Sequence, residues 1–264
     1  LDYPTFEAYA KGEKALSAPA FLLSFDDGLR ECHDVIAPIL LRKGVPAICF
    51  LNSAFIDNQG LFFRYQASLL HVHSQRDPTV KAAWLALLAQ KGQAPRSLLS
   101  IRYHERAWLG ELAEVIGYSF TDYLRQQRPY LTTPQIRSLI DQGFYVGGHS
   151  IDHPMYQDLS LSEQMHQTLT SVRAVSEQFD LPYRTFSFPF TDYGVSGAFF
   201  DQLAQSQEGT LTFGCAGLKA DPVATHFQRI PFEVAGLSGR AILHAEWLYT
   251  WLTQRWGQHR IHRP

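Results

Sequence analysis

Apolar and polar positions along this chain follow two rhythms. From residue 20 a short apolar run, "AFLLSF", gives way to the amphipathic stretch "LRECHDVIAPILLRKG" and then to a second apolar run, "PAICFLN". That order predicts strand, helix, strand, with Gly44 ending the helix and Pro46 opening the second strand. The unit returns at "TPQIRSLIDQG", where Thr133 is the expected N-cap and Gly143 the stop, ahead of the strand-like "FYVGGHS". It returns again with the helical "SLSEQMHQTLTSVRAVSEQF" before "YRTFSFPF", and then come "FDQLAQSQ", "TLTFGCA", "HFQRIPFEV" and a last helix near 238 to 256. Strands alternating with helices predict an α/β fold built on a parallel sheet or barrel.

Between about 57 and 130 the alternation stops. "RYQASLLHVHSQ", "TVKAAWLALLAQKG" and "ERAWLGELAEVIGYSFTDYLRQQ" all carry helical spacing, broken at Pro78 and around Gly92 to Pro95. The segment reads as a helical insertion that covers or shapes one end of the scaffold. Residues 1–264 are expected to form a single domain around it.

Composition narrows the picture. Of 264 residues, 45% are hydrophobic and 18% charged, enough apolar material for a substantial core. A formal charge of −2 supplies no broad basic field, so nucleic acid is not an expected partner. The cysteines Cys32, Cys49 and Cys215 are odd in number and form no CxxC pair, which suggests neither a disulfide framework nor a thiolate zinc site. Reduced thiols suggest a cytoplasmic location, with a periplasmic or membrane-associated one as the alternative if a precursor segment has been removed. No apolar run is long enough for a transmembrane segment, and the start "LDYPTFEAYAKGEK" lacks a signal peptide's layout.

Candidate chemistry sits at the ends of the strand-like runs, where α/β folds gather their functional groups. "SFDDG" places Asp26 and Asp27 side by side just ahead of Gly28. Two adjacent carboxylates repel unless a cation or a proton separates their roles. "YVGGHSIDHP" then offers His149 and His153, four apart in a loop closed by Pro154. Two imidazoles and one carboxylate can form a facial ligand set with positions left open for water and substrate, or they can be satisfied polar groups at strand ends. In "FSFPFTDYG" Pro189 fixes the backbone, and the amide of Phe190 either serves as an oxyanion donor or simply follows a strand that stops at proline.

Taken together and in this order, "SFDDG", "GGHSIDHP" and "FSFPFTDYG" resemble the first three motifs of the polysaccharide deacetylase family, carbohydrate esterases related to chitooligosaccharide and peptidoglycan deacetylases. The resemblance runs over roughly residues 20 to 235, leaving out the insertion. It implies a distorted (β/α) barrel with fewer than eight strands and removal of an N-acetyl group from a carbohydrate, with release of acetate. It also implies Asp26 as general base and Asp27, His149 and His153 as ligands of a divalent metal ion, most often zinc, with cobalt or nickel as alternatives. Ser150 would hold the metal loop by hydrogen bonding, and the Phe190 amide would face the oxyanion.

The chain departs from the family pattern in its third motif. Many relatives carry an arginine two residues before the proline, bonded to the base; here that position is Ser187, and Arg184 has the wrong spacing. The fourth motif is reduced to "RIPFE", whose Arg229 either orients a carboxylate or makes a surface ion pair. For the acid, the resemblance points to His244 in "AILHAEW", with His226 as another option. The substrate would be an N-acetylated carbohydrate, for which a surface-glycan precursor suits a walled-off site. A non-carbohydrate amidohydrolase and a catalytically silent carbohydrate-binding protein are the alternatives.

Other features read as structural. Cys32 and His33 pack or cap a helix, and Arg64 bridges insertion and barrel or meets an anionic ligand. Trp247, Trp251 and Arg255, at helical spacing, form a core-facing stripe, and "QHRIHRP" is a basic, solvated tail.

Overall fold

The computed structural model describes residues 1–206, 208–234, 236–257 and 259–264. After helix α1 (Tyr3–Ala10), strand β1 (Leu23–Phe25) leads through a π-helical turn, Cys32–Ile36, into α2 (Ala37–Lys43) and then β2 (Ala47–Leu51). Gly44 ends α2 in the left-handed conformation (φ 62°), as its position in the sequence predicts. Helices α3 (Phe63–Arg76), α4 (Pro78–Gln90), α5 (Ala107–Val115) and α6 (Phe120–Gln127) make up the insertion, and α7 (Thr133–Asp141) leads into β3 (Tyr145–Gly148). There follow α8 (Leu161–Gln178), β4 (Thr185–Ser187), α9 (Gly197–Gln205), β5 (Leu211–Gly214), β6 (His226–Gln228) and α10 (Gly239–Gln254). β4 is shorter than its apolar run because Pro189 has no N–H to continue the ladder.

Among the described residues all strand pairs are parallel and the order is sequential, β1 to β6. Such an order winds the sheet in one direction, and side-chain contacts show how far it curls. Phe50 of β2 and Phe213 of β5 lie 5.4 Å apart between ring centroids, whereas three strand spacings in a flat sheet would separate their backbones by about 14 Å. The sheet is therefore a curled half-barrel, the distorted (β/α) barrel that the family resemblance implies.

All five residues of β2 are buried because both of its faces are covered. Ile48 and Phe50 point inward, where Tyr3 and Phe6 of α1 meet them together with Leu211 and Phe213. Cys49 and Leu51 point outward, against Leu40 of α2 and Ile136 and Leu139 of α7. The insertion shares its core with the barrel: Leu70, Trp84, Leu88 and Leu109 belong to one apolar cluster with Phe186, Phe188 and Phe199.

Three sequence expectations are corrected. The N-cap of α7 is Thr132, which forms a capping box with Gln135, while Thr133 turns its N–H and hydroxyl to Asp57, each at 2.6 Å. Trp247 and Trp251 are 70% and 44% exposed, so their stripe faces away from the core, and α10 docks through Ile242, Thr250 and Thr253. Helical spacing shows that residues share a face without showing which way that face points. Nor is the chain's end a solvated tail throughout. The Arg263 side chain is 5% exposed and bonds Asp192 Oδ2 at 2.6 Å and Asp221 Oδ2 at 2.5 Å, beside buried His226. Among the described residues no helix is long and apolar enough to cross a membrane.

Candidate active site

The carboxyl edge of the sheet brings the three sequence-predicted segments together. Just beyond β1, Asp27 and Gly28 both adopt positive φ (71° and 64°), which swings the chain away from the strand and leaves both carboxylates at its end. A side chain at residue 28 would meet Leu51 Cδ2 at 3.0 Å. Just beyond β3, the N–H of His149 donates to Leu51 O at 2.8 Å. The loop then passes through two more left-handed residues, Ser150 (φ 68°) and His153 (φ 63°). Ser150 Oγ accepts the His153 N–H at 2.9 Å, holding the loop as expected.

Asp27 Oδ1 lies 3.4 Å from His149 Nε2 and 3.0 Å from His153 Nε2. All three ligand atoms fall within 4.8 Å of one another. Asp27 Oδ1 is nevertheless buried without a hydrogen-bond partner of proper geometry. An orphaned carboxylate oxygen facing two ring nitrogens is what a cation between them would satisfy, and one carboxylate with two imidazoles suits zinc or a similar divalent ion. The residues fit the metal that the resemblance implies.

The imidazoles are oriented for that task. His149 Nδ1 lies 2.8 Å from Ser187 O, a bond that assigns the proton to Nδ1 and turns the Nε2 lone pair toward Asp27. The residue in the place of the relatives' arginine thus serves the site through its backbone carbonyl. His153 is clamped edge-on between Phe62 of the insertion and Phe190, with ring centroids 4.4 and 4.5 Å away.

The arginine missing at position 187 has a substitute one residue past β6. Arg229 donates to Ser24 Oγ and forks onto Asp26, Nη1 to Oδ1 and Nη2 to Oδ2, both at 2.7 Å. Its Nε donates to Gly214 O at 3.2 Å, and its side chain is 15% exposed, so this is not a surface ion pair. Burial pushes the Asp26 carboxyl up, but His149 and Arg229 outweigh it and leave Asp26 below the usual carboxylate value. Asp27 is held well below that range despite burial, by the two imidazoles. Burial pushes His149 down, yet Asp26 and Asp27 prevail and raise it; burial keeps His153 low.

Phe190 has φ 58°, and its backbone N–H meets no acceptor among the described residues. His244 stands at an exposed position of α10 and bonds none of Asp26, Asp27, His149 or His153. His226 is buried, its ring held by Thr212 Oγ1 at 2.7 Å and Asp192 Oδ2 at 3.1 Å. Sequence reasoning missed Asn52, which directly follows β2 and donates from Nδ2 to His149 O and to Ser150 Oγ. A polar residue closing a wholly apolar strand at the carboxyl edge was its one available signal. A cleft of about 380 Å³ opens beside Asp27, lined by Phe55, Phe62, Arg64, Tyr65 and Tyr130. Arg64 Nη1 donates to Leu99 O within the insertion, and its guanidinium lies 5.4 Å from the Phe190 ring.

Paired carboxylates and imidazoles at the carboxyl edge of a curled parallel sheet define a (β/α)-barrel protein with a hydrolase-type site. The polysaccharide deacetylase family model matches residues 13–198, and the chain belongs to that family, whose members act on acetylated carbohydrates. No curated protein matches the chain in sequence. Several solved structures share its fold, among them the following three. A deacetylase of Streptococcus pyogenes, PplD, solved with acetate, is 12% identical with a TM-score of 0.56, covering 92% of this chain and 77% of its own. IcaB of Ammonifex degensii is 15% identical with a TM-score of 0.53, covering 93% and 79%. A de-N-acetylase of Aggregatibacter actinomycetemcomitans is 14% identical with a TM-score of 0.55, covering 92% and 81%.

Proposed function

We propose that this chain is a metal-dependent carbohydrate N-deacetylase, with Asp26 as general base and Asp27, His149 and His153 as ligands of a divalent ion, zinc by preference. The observation that carries the reading is the orphaned Asp27 Oδ1 facing two oriented imidazoles, with the Arg229-bound Asp26 beside them. A divalent ion there supplies Lewis acidity toward the amide carbonyl and acidifies a water.

The protein's own groups do the rest. Asp26, kept ionised by Arg229, takes the proton of the attacking water. The Phe190 amide donates to the oxygen on which negative charge develops. Asp26, once protonated, returns its proton to the departing amine. Phe55, Phe62, Tyr65 and Tyr130 offer ring faces and edges to a sugar in a cleft walled on one side by the insertion. That wall favours a short or lipid-linked precursor of a surface glycan over a long open polymer.

An empty arginine position would favour a silent binding protein, but Arg229 supplies the missing contact and removes that ground. The test is acetate release from a panel of N-acetylated glycans after metal stripping and reloading with zinc, cobalt or nickel. Metal-dependent acetate that disappears in Asp26→Asn and His149→Ala is the expected result. Stoichiometric metal binding with no acetate from any glycan would refute deacetylation.

A further inference from the structure

Between the two histidines of the metal loop stands a residue that faces away from the site chemistry. Asp152 reaches into the helical insertion, where the Tyr103 hydroxyl lies 2.7 Å from Oδ1 and 2.8 Å from Oδ2. Gln167 of α8 closes the arrangement from the barrel side. Its Nε2 donates to Asp152 Oδ1 at 2.8 Å and to the Tyr103 hydroxyl at 3.1 Å, and its Oε1 accepts the N–H of Ile151 at 2.9 Å. Arg106 adds charge at 3.5 Å from Asp152 Oδ2 and stacks on the Tyr103 ring at 4.0 Å. Tyr103 and Gln167 are both buried.

This grip falls on a segment that does not hold its own shape. Ser150 and His153 are non-glycine residues at positive φ, a conformation that persists only where the surroundings impose it. Asn52 fixes the segment from the β2 side at His149 and Ser150, and Ser150 Oγ in turn accepts the His153 backbone N–H. On the His153 side, the side-chain restraint one residue away is Asp152, and its partners come from the insertion and α8.

We propose that the insertion positions the metal ligand His153, with Tyr103 and Gln167 acting through Asp152 as positioning residues. The insertion then does more than wall the cleft, because ion affinity at the site depends on it. This inference rests on reading Asp27, His149 and His153 as metal ligands.

The experiment is a zinc and cobalt titration of the metal-stripped full chain against a chromophoric chelator, together with the visible spectrum of the cobalt form. Tyr103→Phe and Asp152→Ala are expected to bind roughly ten- to a hundredfold more weakly, with an altered cobalt spectrum. Asp152→Asn, which keeps an acceptor for Tyr103, is expected to recover most of the affinity. Leu109→Ala, buried in the insertion core, serves as the control. It lowers thermal stability without touching Asp152, so its metal affinity at 25 °C stays at the parent value. Parent-like affinity and spectrum in Tyr103→Phe, while His153→Ala loses the ion, would overturn the proposal and leave the metal site standing. Affinity that merely tracks thermal stability across all variants, Leu109→Ala included, would also overturn it. A parent chain that binds no ion overturns both readings.

Discussion

Arg229, one residue past β6, forks onto Asp26, one residue past β1, across a sequence separation of 203. β1 and β6 are the two ends of the strand order, and in a flat sheet five strand spacings would hold them about 24 Å apart. Closure of the half-barrel is therefore what brings the guanidinium onto Asp26, and the ion pair in turn ties the two edges together.

Replacing this arginine changes the base in a definite direction. Against burial, His149 and Arg229 keep the Asp26 pKa low, so loss of the fork raises it and the ionised base appears only at higher pH. Arg229→Ala is expected to lower kcat/KM for acetate release by roughly a hundredfold or more. The acid limb of its pH profile should move upward. Arg229→Lys keeps the charge without the fork and should fall between. An acid limb that coincides with the parent's would show that Arg229 does not tune Asp26.

Protons and metal should compete at His149. Asp26 and Asp27 overcome burial and raise its pKa in the metal-free protein, so an incoming ion must displace a proton once the pH falls below that raised value. Zinc affinity is expected to weaken by about tenfold per pH unit in that acid range and to level off above it. Calorimetric titrations in buffers of different ionisation enthalpy would also register the proton released. A pH-independent affinity would mean that His149 is already neutral throughout.

At the other end of the chain, Arg263 offsets two buried carboxylates. Burial pushes Asp192 up, but its bonds from His226, Arg263 and Gln228 hold it well below the usual carboxylate range. A depressed folded-state pKa contributes stability above the unfolded value, 3.8, and loses it as the pH falls toward the folded one. Arg263→Ala leaves Asp192 and Asp221 without that cation and should cost about 3–5 kcal/mol at neutral pH, read from denaturant unfolding. The variant should also lose less stability than the parent on acidification, since its Asp192 lies nearer the ordinary value. A parent-like unfolding midpoint would show that the ion cluster contributes nothing net.

Whether such residues are legible in the sequence depends on the range of the interaction that gives them meaning. Asp26, Asp27, His149, His153 and Phe190 stand in short stretches directly after apolar runs, so local pattern suffices to place them at one sheet edge. For Arg229 the stretch "RIPFE" after a strand-like run leaves two readings open, a site carboxylate or a surface ion pair, and it lies beyond residues 13–198, where the family model matches. Its role arises from the curl of the sheet, which no local stretch encodes. Arg263 has the composition of a solvated tail and acquires its role only from Asp192 and Asp221. The Tyr103–Asp152 contact spans the insertion and the loop that carries His149 and His153, and helical periodicity in the insertion says nothing about which loop it touches.

The double glycine before His149 offers a test of how closely the strands must approach behind the site. A Cβ on Gly147 would lie 2.5 Å from Thr185 Cγ2 and 2.9 Å from Phe50 Cε1. Thr185 and Phe50 are themselves buried, and a β-branched side chain in a strand has little freedom to turn aside. Gly147→Ala is therefore expected to destabilise by about 1–3 kcal/mol through overpacking. Adding Thr185→Ser removes the Cγ2 that the new methyl strikes, while keeping the hydroxyl that donates to Leu211 O at 3.2 Å. Much of the lost thermal stability should then return in the double variant, whereas Thr185→Ser alone should not stabilise the parent. If the two substitutions simply add, the clash is not the cause, and β3 would have to yield by moving its backbone, carrying His149 with it.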